Sequence, residues 1–187
     1  MEDRGSFRAP RIAAVATEHG VPQQALLLEF AERRRAEGLR VAGVVEVVEP
    51  SARGACKARL ALDLTTGARF VLSQELGAGS TACNLDPRGL AQACAAAQRA
   101  IDAGADLVIL SKFGKIETER GGFCDAFATA IAAELQIVTT VNSEWRDEWA
   151  RFAGSLADDV EASAEALETW WRAQRRSPSF RQWALTC

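Results

Sequence analysis

Mainly apolar runs at four places in this chain limit the folds that it can adopt. They are short, stretches with the spacing of amphipathic helices separate them, and they cover residues 11–17, 40–48, 106–110 and 136–141. A strand that is apolar at almost every position is typical of a parallel sheet with helices on both faces, because neither face of such a sheet meets water. The chain is therefore predicted to be an α/β protein with a mainly parallel sheet.

The segments between these runs predict the helices and one antiparallel insertion. Apolar spacing and stop signals predict one helix around Trp145 and Trp149 and four others, over residues 23–37, 87–103, 121–134 and 158–175. Residues 59–64 and 68–73 alternate on either side of a Thr-Thr-Gly turn, which predicts a β-hairpin. The predicted order is β-α-β, hairpin, α-β-α-β-α, which gives three layers, a mainly parallel sheet with helices on both faces and an antiparallel insertion.

Length and charge narrow the class of protein. The 187 residues fit one domain, for which we expect a flexible stretch over residues 1–10, an α/β core over 11–156, and a C-terminal helix and tail over 157–187 packed on that core. A formal net charge of −3 argues against a broad nucleic-acid surface. No apolar run is long enough to span a membrane, and the N-terminus lacks the apolar core of a signal peptide, so we expect a cytoplasmic protein without membrane insertion.

Two of the few lysines in this chain flank one Phe-Gly step at the end of a predicted strand. Lysines make up only three of the 22 basic residues, and Lys112 and Lys115 follow the apolar run that ends at Leu110. Ligands of open α/β sheets bind at the carboxyl ends of the strands. Since lysine attracts phosphate or another oxyanion, Ser111, Lys112 and Lys115 are predicted to contact an anionic small molecule.

The charged residues that follow this turn offer one more contact and one alternative. Arg120 carries the planar guanidinium group that binds oxyanions through two donors, so it is a further candidate. Glu117 and Glu119 could instead pair with both lysines in an ordinary surface turn, which would contribute little to stability. The sequence leaves both interpretations open.

The turn after the first strand is where a nucleotide-binding α/β protein holds phosphate. Residues 18–25 contain one glycine, Gly20, but neither the lysine nor the hydroxyl residue that a phosphate loop requires. The start of the following helix still offers backbone N–H groups to an anion, which makes Gly20, Gln23 and Gln24 candidate contacts. An ordinary turn between strand and helix is the alternative. His19, the only histidine, is expected to be solvated.

A glycine-rich loop and two cysteines complete the candidate groups. The segment over residues 77–81 offers backbone N–H groups and hydroxyls, so Ser80 is another candidate anion contact, with simple loop packing as the alternative. Cys56 and Cys83 lie in predicted loops, where thiolates could bind a soft metal, but they have no neighbouring histidine or further cysteine pair. We therefore expect no metal site and reduced cysteines.

Five tryptophans lie in the last quarter of the chain. Trp170 and Trp171 are adjacent on one predicted helix, where neighbouring side chains point in different directions, so one of them is expected to face solvent. An exposed tryptophan would fit a protein partner or a second copy of the chain.

The order of these motifs resembles a known family. The segment Ser111-Lys112-Phe113-Gly114-Lys115-Ile116-Glu117, followed by Gly122-Phe123 and Asp125, resembles the central signature of the bacterial domain-of-unknown-function family 2478. That family is itself similar to the THEP-type nucleoside triphosphatases of the P-loop superfamily. The resemblance covers about residues 12–156, and its further matches are Asp63-Leu64, Gly67, Gly77, Gly79, Ser80, Cys83, Leu85, Asp86, Trp149, Phe152 and Gly154.

The departures from the nucleoside triphosphatases bear on function. Where those proteins would end a strand in an Asp-Glu pair, this chain has Ser111-Lys112, and the turn over residues 20–25 lacks their lysine and threonine. The resemblance therefore implies a P-loop-like fold with degenerate Walker motifs and lost or altered nucleotide chemistry. Because members of the family are associated with molybdenum uptake or molybdoenzymes, it also implies a link to molybdenum.

These observations lead to one hypothesis and two alternatives. The hypothesis is a binding or accessory protein that holds a nucleotide, a phosphorylated cofactor or a metal oxyanion, and that is not a conventional Mg-dependent nucleoside triphosphatase. The first alternative is a nucleoside triphosphatase with non-standard residues, in which Glu117 would serve the metal or the attacking water. The second is a protein-interaction module that uses the late tryptophans.

Overall fold

Seven strands form one sheet, and helices cover both of its faces. The strands are β1 (Ile12–Thr17), β2 (Val41–Pro50), β3 (Lys57–Asp63), β4 (Arg69–Val71), β5 (Leu107–Phe113), β6 (Gln136–Asn142) and β7 (Ala157–Val160). The helices are α1 (Gln24–Ala36), α2 (Pro87–Asp102), α3 (Lys115–Thr118), α4 (Cys124–Ala132), α5 (Arg146–Ala153) and α6 (Ala164–Arg176), with short 3-10 turns at Ser143–Trp145 and Gly154–Leu156.

This computed structural model describes residues 11–17, 23–50, 57–73 and 85–176. Several predictions of the sequence fall on the remaining residues. They are the flexible N-terminus, the tail after residue 176, and the candidates His19, Gly20, Cys56, Ser80 and Cys83.

The strand order is β4-β3-β2-β5-β6-β1-β7. All pairs from β2 through β5, β6 and β1 to β7 are parallel, whereas β3 pairs antiparallel with both β2 and β4. The predicted fold class is therefore confirmed: an α/β protein with a mainly parallel sheet and an inserted antiparallel hairpin. Because β3 pairs with β2 as well as β4, the insertion is a three-stranded meander at one edge of the sheet.

Alternate residues of β5 enter two apolar clusters, one on each face of the sheet. Val108 and Leu110 belong to the cluster that α2, α4 and α5 cover, which includes Phe127 of α4. Leu107 and Ile109 belong to the cluster that α1 and α6 cover. Burial on both faces explains why residues 107–110 of this strand are all apolar, and it makes the fold three-layered.

Residues 157–160 form a strand, not the start of the last helix as the sequence predicts. β7 pairs in parallel with β1, from Ile12 opposite Ala157 to Val15 opposite Val160, and α6 begins only at Ala164. Aspartate is rare in strands, so the local sequence Ala-Asp-Asp-Val does not favour one. The strand forms because the backbone of β1 supplies its hydrogen-bonding partners. β1 is distant from residues 157–160 along the chain.

Trp170 and Trp171 are both buried, so the prediction that one of them faces solvent is wrong. The Trp170 Nε1–H donates to Asp158 Oδ2 at 3.1 Å, and the Trp171 ring meets the Phe30 ring edge-on, with their centroids 6.1 Å apart. α6 therefore has protein on two sides, because it packs against both β7 and α1. These two tryptophans offer no exposed surface to a partner.

The strands β2 and β5 approach each other unusually closely at Gly43. The φ angle of Gly43 is +110°, and a Cβ atom at this position would lie 1.9 Å from the carbonyl oxygen of Ile109. Regular pairing between the two strands ends just beyond, at Val44 opposite Leu110. Only glycine fits here, because any side chain would overlap the neighbouring backbone.

Candidate functional site

The parallel strands end along one side of the sheet, which we call the carboxyl edge. β1 ends at Thr17, β5 at Phe113 and β6 at Asn142, and α1 begins at Gln24 on the same side. From β1 the chain crosses past β6 and β5 to reach β2, whereas β7 lies on the opposite side of β1. Such a change of direction in an open α/β sheet is where ligands bind.

Gln24 ties the start of α1 to two strands at the carboxyl edge. Its Nε2 donates to the carbonyl oxygen of Ser111 at 2.7 Å, and its Oε1 accepts from the backbone N–H of Glu46 at 2.8 Å. Thr140 Oγ1 donates to the same Ser111 carbonyl at 2.8 Å. The structure therefore brings together the predicted residues Gln24 and Ser111. The Gln24 amide links β2 to β5 through its two hydrogen bonds, and we call this link the Gln24 bracket.

The other predicted residues of this region are placed differently. Ser111 is only 4% exposed, so its hydroxyl lies among buried groups. Gln23 is the residue that precedes α1, and its side chain makes no capping hydrogen bond. Lys112 is the cation that reaches solvent directly at the end of β5, with 48% of its side chain exposed.

Lys112 is held by Glu46 of β2, a partner that the sequence analysis did not identify. Lys112 Nζ lies 3.2 Å from Glu46 Oε2, and Arg59 of β3 contacts the same carboxylate at 2.6 Å and 3.0 Å. Burial raises the pKa of Glu46, but the hydrogen bonds from Arg59 and the charge of Lys112 outweigh it, so this pKa lies below its ordinary value. The available signal was that Glu46 is the single charged residue between Val41 and Val48, within the valine-rich run.

We expect the Glu46 carboxylate to make stability depend on pH. Its folded-state pKa is lower than the ordinary 4.5, so its contribution is present above that value and is lost as the pH falls through the lowered one. Glu46→Gln should reduce the free energy of unfolding by about 1–3 kcal/mol at pH 7. Urea denaturation should show this difference shrinking between about pH 5 and about pH 3.

The control for this measurement is Glu49→Gln, which changes an exposed carboxylate of the same strand that pairs with Arg69. An exposed pair contributes little, so this variant should match the wild type within about 0.5 kcal/mol at pH 7. A Glu46→Gln penalty that stays constant across the pH range would contradict the prediction.

Glu117 closes the turn that follows β5. Its carboxylate is buried and accepts the backbone N–H of Gly114 at 3.0 Å through Oε2 and that of Phe123 at 3.1 Å through Oε1. Burial raises the pKa of Glu117, although the hydrogen bonds from Phe123 and Gly114 act in the opposite direction. Both carboxylate oxygens are therefore engaged by backbone donors on either side of α3.

The remaining predicted cations lie around this turn. Lys115 is exposed at the first position of α3, and no described residue forms an ion pair with it. Arg120 is exposed and has a φ angle of +62°, a left-handed conformation that is unusual for a residue other than glycine. The predicted alternative, in which Glu117 and Glu119 neutralise the lysines, differs from the observed pairing of Lys112 with Glu46.

A pocket lies between the first half of α2 and the segment that joins α3 to α4. Its volume is about 550 Å³, and we call it the α2–α4 pocket. Two cysteines line it: Cys94 Sγ donates to the carbonyl of Gly122 and Cys124 Sγ donates to the carbonyl of Glu117, both at 3.1 Å. The sequence does not predict this pocket, because its walls come from segments separated by some thirty residues of chain.

The two thiols of the α2–α4 pocket remain protonated at neutral pH. Burial raises the pKa of Cys94 to about 12, and the nearby carboxylates of Glu117 and Asp125 add to the effect. Burial and the same two carboxylates also raise the pKa of Cys124. Within the described residues, no cluster of three or more histidine, cysteine, aspartate or glutamate side chains is arranged to hold a metal.

Comparisons with known proteins give one family and one curated relative. The model of a family described as "Protein of unknown function (DUF2478)" matches residues 12–170. The molybdenum import ATP-binding protein ModC 2 of Bradyrhizobium diazoefficiens is 33% identical over 162 residues, which is 87% of this chain but 18% of that protein. The chain thus spans less than a fifth of the relative's length. No solved structure matches the chain. Among the helices that the structure describes, none has the length and apolar character needed to cross a membrane.

Proposed function

From the premise that this chain belongs to the DUF2478 family of proteins of unknown function, we propose that it binds an anionic small molecule at the carboxyl edge of its sheet. The match of the family model over residues 12–170 confirms the family resemblance that the sequence indicates. The proposed ligand is a nucleotide or a metal oxyanion such as molybdate, and the proposed role is that of a binding or accessory protein. A nucleotide ligand fits the expected cytoplasmic location.

The observation that carries this proposal is the position of Lys112. It lies at the carboxyl end of β5, next to the start of α1, and Glu46 holds it while about half of its side chain stays in solvent. A lysine ammonium group has three donors, of which Glu46 takes one, so the others can serve a ligand. Lys115 adds a second exposed cation three residues later.

The curated relative supports the same ligand class. Its name states that it binds ATP and takes part in molybdenum import. The matched segment is a small part of that protein, so either property can reside in the rest of it. For this chain, nucleotide binding and a role in molybdenum import are therefore part of the proposal.

The geometry favours binding over hydrolysis. A hydrolase needs a carboxylate that faces the metal or the attacking water. Both oxygens of Glu117, the candidate for this role, accept backbone N–H groups within the turn after β5. Lys112 occupies the strand end itself, where a cation would repel magnesium. A nucleoside triphosphatase with non-standard residues remains the second candidate function.

Isothermal titration calorimetry on the full chain tests the proposal. The probes are ATP with magnesium, ADP and sodium molybdate, each titrated into the wild type and into a Lys112→Met, Lys115→Met double variant. We expect at least one probe to bind the wild type, and we expect the double variant to bind it at least about tenfold more weakly, which corresponds to about 1.4 kcal/mol.

Two matched variants separate a ligand contact from a general charge effect. Lys112→Arg with Lys115→Arg keeps both charges and should retain binding within a few-fold. Arg99→Gln removes an exposed cation from the last turn of α2 and should leave binding unchanged. The proposal fails if no probe binds, or if the double methionine variant binds as tightly as the wild type. Phosphate release from ATP by the wild type would favour the hydrolase instead.

A further inference from the structure

We propose that the α2–α4 pocket is a second binding site, which takes a small monoanion with an apolar body. The ligand class is a molecule with one carboxylate, phosphate ester or sulfonate group attached to an aliphatic or aromatic part. This site is separate from the proposed carboxyl-edge site, because neither Lys112 nor Lys115 lines the pocket.

The size and walls of the pocket fit a small organic molecule. Its volume of about 550 Å³ lies within the range of ligand pockets, which is about 300–1,000 Å³. Leu85, which lies just before α2, Leu90 of α2 and Ile116 of α3 form apolar parts of the wall. The two thiols contribute neutral groups whose S–H donors are already used by backbone carbonyls.

Arg120 supplies the positive charge of this pocket. Arg120 is one of the residues that line the pocket, and its guanidinium group forms no hydrogen bond or ion pair with any described residue. The residue also has a φ angle of +62°, so its backbone is held in a conformation that glycine or asparagine adopts more readily. An arginine at such a position, beside an apolar wall and without an internal partner, is complementary to a ligand anion.

Asp125, together with the buried Glu117 whose carboxylate also acts on both thiols of the pocket, disfavours a ligand with more than one negative charge. Asp125 is exposed in the first turn of α4 and lines the same pocket, and it forms no ion pair with the described residues. A polyanion such as a nucleoside triphosphate would be repelled by this carboxylate at close range. A monoanion can place its charged group at Arg120 and its apolar part against α2, away from Asp125.

Fluorescence titration with 8-anilinonaphthalene-1-sulfonate tests this proposal, because that dye is a monoanion with an apolar body. Its neutral analogue N-phenyl-1-naphthylamine serves as the uncharged probe. We expect saturable binding of the dye to the folded wild type, and near-ultraviolet circular dichroism verifies that the protein stays folded. We expect Arg120→Asn to weaken dye binding at least about tenfold. This variant should fold well, because asparagine tolerates a left-handed backbone conformation.

Three further arms make the result decisive. Asp125→Asn should strengthen dye binding about threefold or more, and it should affect the neutral analogue much less. Lys112→Met should leave dye binding unchanged, so that failure here and failure of the carboxyl-edge proposal can be told apart. Arg99→Asn is the matched control for a lost surface arginine. The proposal is overturned if the dye does not saturate, if Arg120→Asn binds it as the wild type does, or if Arg99→Asn weakens it equally.

Discussion

Gly43→Ala should lower the free energy of unfolding by at least about 4 kcal/mol, which is a large share of the roughly 5–15 kcal/mol that stabilises an ordinary domain. Two causes combine: the φ angle of +110° is unfavourable for alanine, and the new Cβ would lie 1.9 Å from the carbonyl oxygen of Ile109. That oxygen belongs to the backbone of β5 in the centre of the sheet, so relief requires the two strands to separate. Urea denaturation followed by tryptophan fluorescence measures the effect.

Gly38→Ala is the matched control for this prediction. Its φ angle of +85° is also left-handed, but a Cβ atom there would meet nothing within 4 Å. The free energy of unfolding of this variant should fall by only about 1 kcal/mol, which is the cost of placing alanine in a left-handed conformation. If the two alanine variants were destabilised to the same extent, the close approach of β2 to β5 would have no energetic importance.

Glu117→Ala should lower the free energy of unfolding by about 2–4 kcal/mol, because it leaves the N–H groups of Gly114 and Phe123 without their acceptors in a buried place. The loss should be seen without any ligand, by chemical denaturation at pH 7. Glu117→Gln should cost less than alanine, since the amide oxygen can still accept one of the two hydrogen bonds.

Glu119→Ala provides the comparison, since Glu119 is an exposed carboxylate two residues away in the same turn. It should change stability by no more than about 0.5 kcal/mol. A Glu117→Ala protein as stable as the wild type would show that this carboxylate is not needed to hold the turn, and it would revive its interpretation as a catalytic group.

The class of the fold could be predicted from the sequence, because the central parallel strands are buried on both faces and are therefore mainly apolar. Residues 107–110 illustrate this most directly, since their alternate side chains fill both clusters. β7 could not be predicted in the same way. Its two aspartates disfavour a strand, and the pairing that overrides them comes from β1, nearly the whole length of the chain away.

The positions of the candidate residues along the chain could be predicted from the sequence, whereas most of their contacts could not. The position of the candidate site at the end of β5 follows from the apolar run and the lysines, and Gln24 does lie beside Ser111. The pairing of Lys112 with Glu46 could not be foreseen, because the two residues are 66 positions apart and meet only through the register of β2 and β5. The α2–α4 pocket likewise depends on the packing of two helices.

The Gln24 bracket has a consequence for which side chains this position can accept. Glu46 presents an N–H group and Ser111 presents a carbonyl, so the bridging group must accept at one atom and donate at another. A carboxylate has no donor, an ammonium group has no acceptor, and an aliphatic chain of the same length has neither. The side chain at the start of α1 is therefore restricted by the hydrogen bonds that it must make and not by its shape. Among side chains of this length, the carboxamide is the one that both donates and accepts as required.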